Sequence, residues 1–472
     1  MDTSHTPQPD TSPPTGAGPA TSTTSSGVDA TAGAAATAGG AADALDVLRA
    51  RGFVQDVTDE DGLRARFAEG PVTFYVGFDP TAPSLHAGNL VGMMAMSWLQ
   101  RLGHRPIALA GGATGRIGDP SGRDAEREVF DEATLERHLA GIREQLGLVL
   151  DLDGDDPSSG WLVDNHDWTR DVTLLEFLSE VGVHASVNAM IARDSVRNRL
   201  EQREQGLTYA EFTYQLLQAF DFSHLYASHG CLLQGGGSDQ WGNIVAGIDL
   251  IRRKHGVQAY GLVWPLLTTA DGSKFGKSAG NAIWLDPELT SPYAYYQYWL
   301  NAADADVVRF LKLFTYLELD RIEELGRELE RDPAARIAHR ELAREATRII
   351  HGDDGVALAE RATAVLFGGE PFAGLDDRVL SVAFDGAPSV ELPRERLEGD
   401  GIGVLELLTE VGASRSNGEA RRLVQQGGVK LNNAKVDDPQ RRLGTDDLAS
   451  ATTLVLQVGK KRHFLARFGP EG

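Results

Sequence analysis

The feature that most constrains the fold is a recurring succession: a short apolar run, then a polar glycine-rich run, then a segment with helical spacing. Residues 72–78 open it. Val72, Phe74, Val76 and Phe78 fall on one face of an extended segment, and Thr73, Tyr75 and Gly77 on the other. Residues 106–110, 161–163 and 231–234 read as further strands, and residues 90–102, 133–146 and 211–220 as helices. Strands alternating with helices predict an α/β fold with a Rossmann-like parallel sheet and crossover helices. Ligands of such sheets sit beyond the carboxyl ends of the strands. The polar runs 77–89, 111–122 and 235–243 occupy those positions.

The pattern changes after Pro287 to helices alone, beginning at Ser291 and Pro292, an N-cap and first-turn pair. The expected organisation is a parallel-sheet catalytic domain at 43–287, a helical domain at 288–368, a linker at 369–402 rich in Pro and Asp, and a small α/β unit at 403–472. Residues 1–42 have no aromatic residue, Leu or Ile. Such a segment buries too little surface to offset its ordering entropy, so it is expected to be a disordered tail. It has the features of neither a signal peptide nor a transit peptide.

Net charge is −23, which argues against indiscriminate nucleic-acid binding but leaves room for a nucleic-acid partner at an unevenly charged segment. Residues 403–472 depart from the trend, with eleven Lys or Arg against eight Asp or Glu. The single cysteine, Cys231, excludes an internal disulfide and a cysteine-cluster zinc site. No stretch reaches the roughly 18 consecutive apolar residues of a membrane span. A cytoplasmic protein without a resident metal site is expected.

Two short runs carry the chemistry. Residues 80–89 follow a strand, and Ser84 is a candidate N-cap that would place His86, Gly88 and Asn89 in the first turn of a helix. A helix start favours phosphate through its free N–H groups and its dipole. His86 and Asn89 add donors, and Gly88 lets a flat base approach the backbone. The second run, Lys274, Phe275, Gly276, Lys277 and Ser278, lies in a glycine-containing polar stretch (271–281) that reads as a mobile loop. Two lysines around a glycine suit a triphosphate whose charge moves toward a leaving pyrophosphate. Alone, the first run reads better as an ordinary strand–turn–helix with a surface histidine, and the second as a solvated lysine loop. Tyr75 and Asp79 share a strand face, and Tyr214, Gln218 and Asp221, spaced i, i+4, i+7, share a helix face. From spacing alone that polar face could be a surface stripe or a pocket wall.

Taken together in this order, the two runs resemble the paired ATP-handling signatures of class I aminoacyl-tRNA synthetases, with Asn89 where a second histidine is usual and Phe275 where methionine is frequent. The stretches 75–89, 111–122, 211–222, 235–243 and 291–300 resemble the bacterial tyrosyl-tRNA synthetase family, the run 236–243 most closely. The resemblance implies ATP, with Mg2+, and L-tyrosine as substrates, tRNA as acceptor, and a homodimer. It places Tyr75 and Asp221 at the substrate phenol, and Tyr214 and Gln218, with Asp119, around the α-amino group, and counts Asp79 among the tyrosine-binding residues. Gln240 falls near the carboxylate. Thr81, Gly88, Gly237, Asp239 and Ser278 fall at ATP, together with His86, Asn89, Lys274 and Lys277. Arg127 matches a basic loop that closes on pyrophosphate, and Arg123 stands there where Lys is frequent; spaced i, i+4, the two read equally as an arginine pair on a helix surface. Residues 413–432 resemble a small RNA-binding domain of the ribosomal-protein S-four type, which makes Arg415, Arg421, Arg422 and Lys430, with the cluster Lys460, Lys461 and Arg462, candidate RNA contacts.

Three alternatives remain at this level. Tryptophanyl-tRNA synthetases share the catalytic fold, but Tyr75, Asp221 and the basic tail disfavour that reading. A non-catalytic RNA-binding relative would have no need of His86 and both lysines. Another nucleotidyl transferase would lack the Tyr214, Gln218 and Asp221 face.

Overall fold

The structure, a computed structural model, describes residues 43–120, 131–192, 196–197, 207–270, 272, 275–278, 281–367, 372, 375–459 and 462–469. The expected tail at 1–42 lies outside the described residues.

Two short helices, α1 (Ala44–Arg51) and α2 (Glu60–Ala68), flank the edge strand β1 (Asp56–Val57). The core strand β2 (Thr73–Phe78) leads into α3 (Ala87–Arg101), and β3 (Arg105–Ala110) follows. Then come α4 (Thr114–Ile117), α5 (Glu132–Leu146), β4 (Trp161–Asp164) and α6 (His166–Thr169). The stretch α7 (Leu174–Glu180), α8 (Val187–Ile191), α9 (Tyr209–His229) precedes β5 (Leu233–Gly237), α10 (Trp241–His255) and β6 (Tyr260–Trp264). The sheet order is β1-β6-β5-β2-β3-β4, parallel throughout except that β1 runs antiparallel to β6. The chain leaves β2 toward β3 on one side and returns to β5 on the other. That reversal opens a crevice at the carboxyl ends of β2 and β5.

Helix α3 is apolar on nearly every side, and Leu90, Met93, Met94, Ala95 and Met96 are all buried against the sheet. Each large side chain there stabilises the fold by about 1.5–3 kcal/mol. Ser84 was the expected cap of this helix, but it is buried and donates to its neighbour's carbonyl, Leu85 O, at 2.7 Å. His86 caps instead: its Nδ1 accepts from Gly88 N–H at 3.0 Å, and Asn89 Oδ1 accepts from His86 N–H at 3.1 Å.

Beyond the sheet, β7 (Lys277–Ser278) and β8 (Asn281–Ala282) form a small hairpin. Helices α11 (Pro292–Leu300), α12 (Asp304–Phe314), α13 (Leu319–Arg331) and α14 (Ile337–Phe367) follow, with Ser291 capping α11 as expected. Their apolar faces merge with the sheet core in one hydrophobic cluster. Arg51 ties α1 to this layer, donating to Leu317 O at 2.8 Å while its guanidinium lies 3.5 Å over the Trp98 ring.

The stretch 369–402, expected as a linker, is built into the C-terminal unit over its described residues. Helix α15 (Asp377–Ala383) packs through Val379 and Leu380 against Leu358 and Ala362 of α14. Strand β9 (Ser389–Pro393) adds to a five-stranded sheet, and β10 (Ile402–Gly403) pairs elsewhere in the unit. After α16 (Val404–Glu410) and α17 (Asn417–Gln425) come β11 (Val429–Leu431), β12 (Ala434–Lys435), β13 (Arg442–Leu443), β14 (Thr453–Val458) and β15 (Arg462–Gly469). The sheet order is β12-β11-β14-β15-β9, and β9 lies parallel to β15. The strand is half-exposed and short, so its apolar alternation is weak in sequence.

Candidate functional site

The crevice between β2 and β5 is lined by Tyr75, Asp79 and Thr81 after β2, Gly88, Asn89 and Gly92 on α3, Asp119, then Tyr214, Gln218 and Asp221 on α9, and Gly237, Asp239 and Gln240 after β5. The i, i+4, i+7 face of α9 is therefore a pocket wall, not a surface stripe.

One end of the crevice is closed and polar. Asp221 is 3% exposed. Its Oδ2 accepts from Asn165 Nδ2 at 3.0 Å and its Oδ1 from Trp168 Nε1 at 2.9 Å. Burial pushes its carboxyl up to about 7, against the two donors, which favour the carboxylate. Tyr75 is also buried, its hydroxyl 3.5 Å from Gln218 O, and burial with the nearby Asp221 charge raises its phenol pKa well above the ordinary value. A buried carboxylate and a buried phenol together make a donor–acceptor pair suited to one further hydroxyl.

Next along the crevice, Asp79 accepts from Tyr214 OH at 3.0 Å and from Thr114 Oγ1 at 2.8 Å. Gln240 Nε2 donates to Asp119 Oδ2 at 2.6 Å, and Gln218 Nε2 donates to Gln240 Oε1 at 3.3 Å. Asn243 Nδ2 fixes Gln218 from behind at 3.0 Å. Two carboxylates and two amide oxygens face one another here, which is an environment for a cationic amine.

At the opposite end the two runs found far apart in sequence meet. Ala87 N–H donates to Ile283 O at 2.8 Å, and Ile283 N–H donates to Gly276 O at 2.9 Å. Gly276 has φ +82°, and a Cβ there would stand 2.9 Å from Gly88 N. Phe275 is 5% exposed and stacks on Phe314 with ring centroids 5.2 Å apart, also touching Trp299 and Phe310. Within the stretch 271–281, Phe275 is thus buried, and Lys277 and Ser278 pair with Ala282 and Asn281. Lys274, and likewise Arg123 and Arg127, lie outside the described residues.

Asn165, Trp168, Thr114 and Asn243 escaped the sequence reading. Asn165 is the hub among them: fully buried, it also accepts from Ala113 N–H at 2.7 Å and donates to Thr114 Oγ1 at 3.0 Å. Its position immediately after β4 was the available signal, since the carboxyl ends of strands border the crevice.

In the C-terminal unit Arg415, Arg421, Arg422, Lys430 and Arg462 are all exposed. Sheet register places Lys435, Lys430, Gln457 and His463 in one row across β12, β11, β14 and β15, which adds Lys435 to the basic surface. Lys460 and Lys461 lie outside the described residues. Among the described residues there is no cluster of His, Cys, Asp or Glu that could hold a metal ion, and no helix long and apolar enough to cross a membrane.

Known proteins agree on what this arrangement resembles. The family model of tRNA synthetases class I (W and Y) matches residues 68–368, and that of the tyrosine–tRNA ligase SYY-like C-terminal domain matches residues 380–466. The tyrosine–tRNA ligase of Rhodopirellula baltica is 47% identical over 420 residues, 89% of this chain and 95% of that one. That of Roseiflexus castenholzii is 46% identical over 423 residues, 90% of this chain and 99% of that one. Among solved structures, a C-terminally truncated mitochondrial tyrosyl-tRNA synthetase of Aspergillus nidulans is 34% identical with a TM-score of 0.63, covering 69% of this chain and 94% of that one.

Proposed function

The chain belongs to the class I tRNA synthetases of the tryptophan and tyrosine type, and on that premise we propose that it is a tyrosine–tRNA ligase. It condenses L-tyrosine with ATP to tyrosyl-adenylate and pyrophosphate, then passes the tyrosyl group to the terminal ribose of tRNA. The observation that carries the choice of amino acid is the pairing of Tyr75 with Asp221 at the closed end of the crevice. The substrate phenol donates to Asp221 and accepts from Tyr75. Phenylalanine would leave both groups buried and unpaired, at about 1–3 kcal/mol each.

The α-amino group goes to the cluster of Asp79, Asp119, Tyr214 and Gln218, with Gln240 beside the carboxylate. That carboxylate is already ionised at neutral pH, so it attacks the α-phosphate without a general base. One P–O bond forms, the bond to the β-phosphate oxygen breaks, and pyrophosphate leaves. Catalysis is orientation plus stabilisation of the charge that moves onto the leaving group. We assign that work to the start of α3, with His86, Gly88 and Asn89, to Lys274, Lys277 and Ser278, and to Arg123 and Arg127. Thr81, Gly237 and Asp239 complete the nucleotide side. Magnesium enters as part of the ATP complex. A ribose hydroxyl of tRNA then attacks the tyrosyl carbonyl, and AMP departs.

Tyrosine-dependent exchange of labelled pyrophosphate into ATP tests this directly. Folded protein that shows no exchange rules the reading out. Tyr75→Phe is expected to narrow the preference for tyrosine over phenylalanine by about tenfold or more.

For tRNA we propose the basic face of the C-terminal unit: Arg415, Arg421, Arg422, Lys430 and Arg462, with Lys460 and Lys461. Replacing Arg421 and Arg422 by Ala is expected to slow tRNA charging and flatten its salt dependence, since each phosphate contact contributes about 0.9 to the logarithmic slope. Adenylate formation should stay unchanged, and a variant that charges tRNA at the parental rate at every salt concentration removes these residues from the interface.

We further propose a homodimer, formed through the apolar patch of α7, α8 and the start of α9. Leu174 and Leu175 on α7, Val183 after it, Val187 on α8 and Tyr209 on α9 are 57–77% exposed, large apolar side chains that a partner surface would cover. Leu175→Asp should give a monomer by analytical ultracentrifugation, and an unchanged sedimentation coefficient would move the interface elsewhere. We place the activity in the cytoplasm, where aminoacyl-tRNA is consumed.

A further inference from the structure

Trp264 ends β6 and is 8% exposed, and its indole lines the crevice at the end where α3 begins. It lies between two glycines. A Cβ on Gly92 would stand 3.0 Å from Trp264 Cζ2, and a Cβ on Gly235 would stand 3.0 Å from Cζ3. Neither glycine adopts positive φ, so neither is required by the backbone. Gly92 lies within α3, where glycine costs about 1 kcal/mol relative to alanine. The space it leaves is filled by the indole. Leu266, two residues on, also lines the crevice and is 59% exposed, an apolar side chain beside Gly237 and Asp239. Trp264 and Leu266 therefore give the nucleotide half an aromatic and an apolar side chain among its polar residues.

We propose that Trp264 is a positioning residue for the purine base of ATP, and that residues 92 and 235 are glycine so that the indole can take up that position. This rests on the reading of the crevice as an ATP site. A purine has a flat apolar face, and its contact with an aromatic side chain is favourable in proportion to overlap. The indole, seated between Gly92 and Gly235, would set how deep the base lies relative to Gly88 and the start of α3. A side chain at position 92 would displace the indole and, with it, the base.

A double-mutant cycle tests the coupling. Trp264→Leu, Gly92→Ala and the double variant are assayed for the KM of ATP and the KM of tyrosine in pyrophosphate exchange, and for ATP binding by calorimetry. Trp264→Leu is expected to raise the KM of ATP about tenfold, with the KM of tyrosine changed less than about twofold. Gly92→Ala should raise the KM of ATP about fivefold beside Trp264 but by less than about twofold beside Leu at 264. An unchanged KM for ATP in Trp264→Leu overturns the proposal, as do equal effects of Gly92→Ala in both backgrounds. So does a parallel rise of both KM values with a lowered melting temperature, the signature of a merely structural tryptophan. If the parent protein shows no exchange while calorimetry still finds weaker ATP binding in Trp264→Leu, the assigned reaction falls and the role of Trp264 stands.

Discussion

Asp221→Ala is expected to lower kcat/KM for tyrosine by about 10³-fold or more. Three losses coincide in this one substitution. The acceptor for the substrate hydroxyl disappears, and a hydrogen bond to a charged group is worth about 1.5–3 kcal/mol. Asn165 Nδ2 and Trp168 Nε1, which now donate to Asp221 at 3.0 and 2.9 Å, are left pointing at a void. Each orphaned donor costs about 1–3 kcal/mol unless water enters. Asn165 also bridges Ala113 and Thr114, and Thr114 in turn donates to Asp79, so loosening it reaches the amine cluster. Pyrophosphate exchange at varied tyrosine, alongside a thermal melt, measures the effect. Asp221→Asn keeps the volume and one acceptor oxygen, so it should lose less. A kcat/KM for Asp221→Ala within about tenfold of the parent would refute the assigned role.

Gly276→Val is expected to lower kcat for adenylate formation roughly 100-fold while leaving tyrosine affinity within about twofold. Position 276 has φ +82°, where a β-branched residue is strained. Its Cβ would stand 2.9 Å from Gly88 N, against backbone that cannot yield without unwinding the first turn of α3. Phe275, clamped by Phe314 and Trp299, prevents the segment from sliding outward as a unit. The strain therefore passes to the next residue, Lys277. Because Tyr75, Asp221 and the amine cluster lie at the other end of the crevice, tyrosine binding should be spared. Single-turnover kinetics and equilibrium dialysis with tyrosine separate the two effects. A kcat within about threefold of the parent would show that the approach of the two runs has no bearing on catalysis.

The C-terminal unit does not begin at residue 403, since β9 and α15 are built into it. A truncation at residue 403 would strip β9 of its partner β15 and uncover Val379 and Leu380, which pack with Val455 and Leu465. Substitutions at exposed arginines avoid that damage.

How far the chain was readable depends on which residues are periodic. Tyr214, Gln218 and Asp221 could be grouped from sequence because a helix repeats its faces every three or four residues. Tyr75 and Asp79 could be grouped because a strand alternates. Thr114 and Trp168 stand in four-residue helices and Asn165 just before the second of them, too short a run to show a period, although the three hold the two key carboxylates in place. The same reason hid β9, whose half-exposed residues repeat too briefly to stand out.

Sequence by itself determined the α/β order, the polar runs at the strand ends, and the residue types available for an amine, a phenol and a triphosphate. Those follow from local periodicity and side-chain chemistry, which the chain carries wherever it folds. Only the tertiary structure decided that Gly276 touches Gly88, that Asn165 holds Asp221, and that Trp264 fills the space of two glycines. Contacts of that kind join residues with no fixed separation along the chain, and they depend on the sheet order and on how closely backbones approach. Distances in space, unlike spacings in sequence, are set by packing.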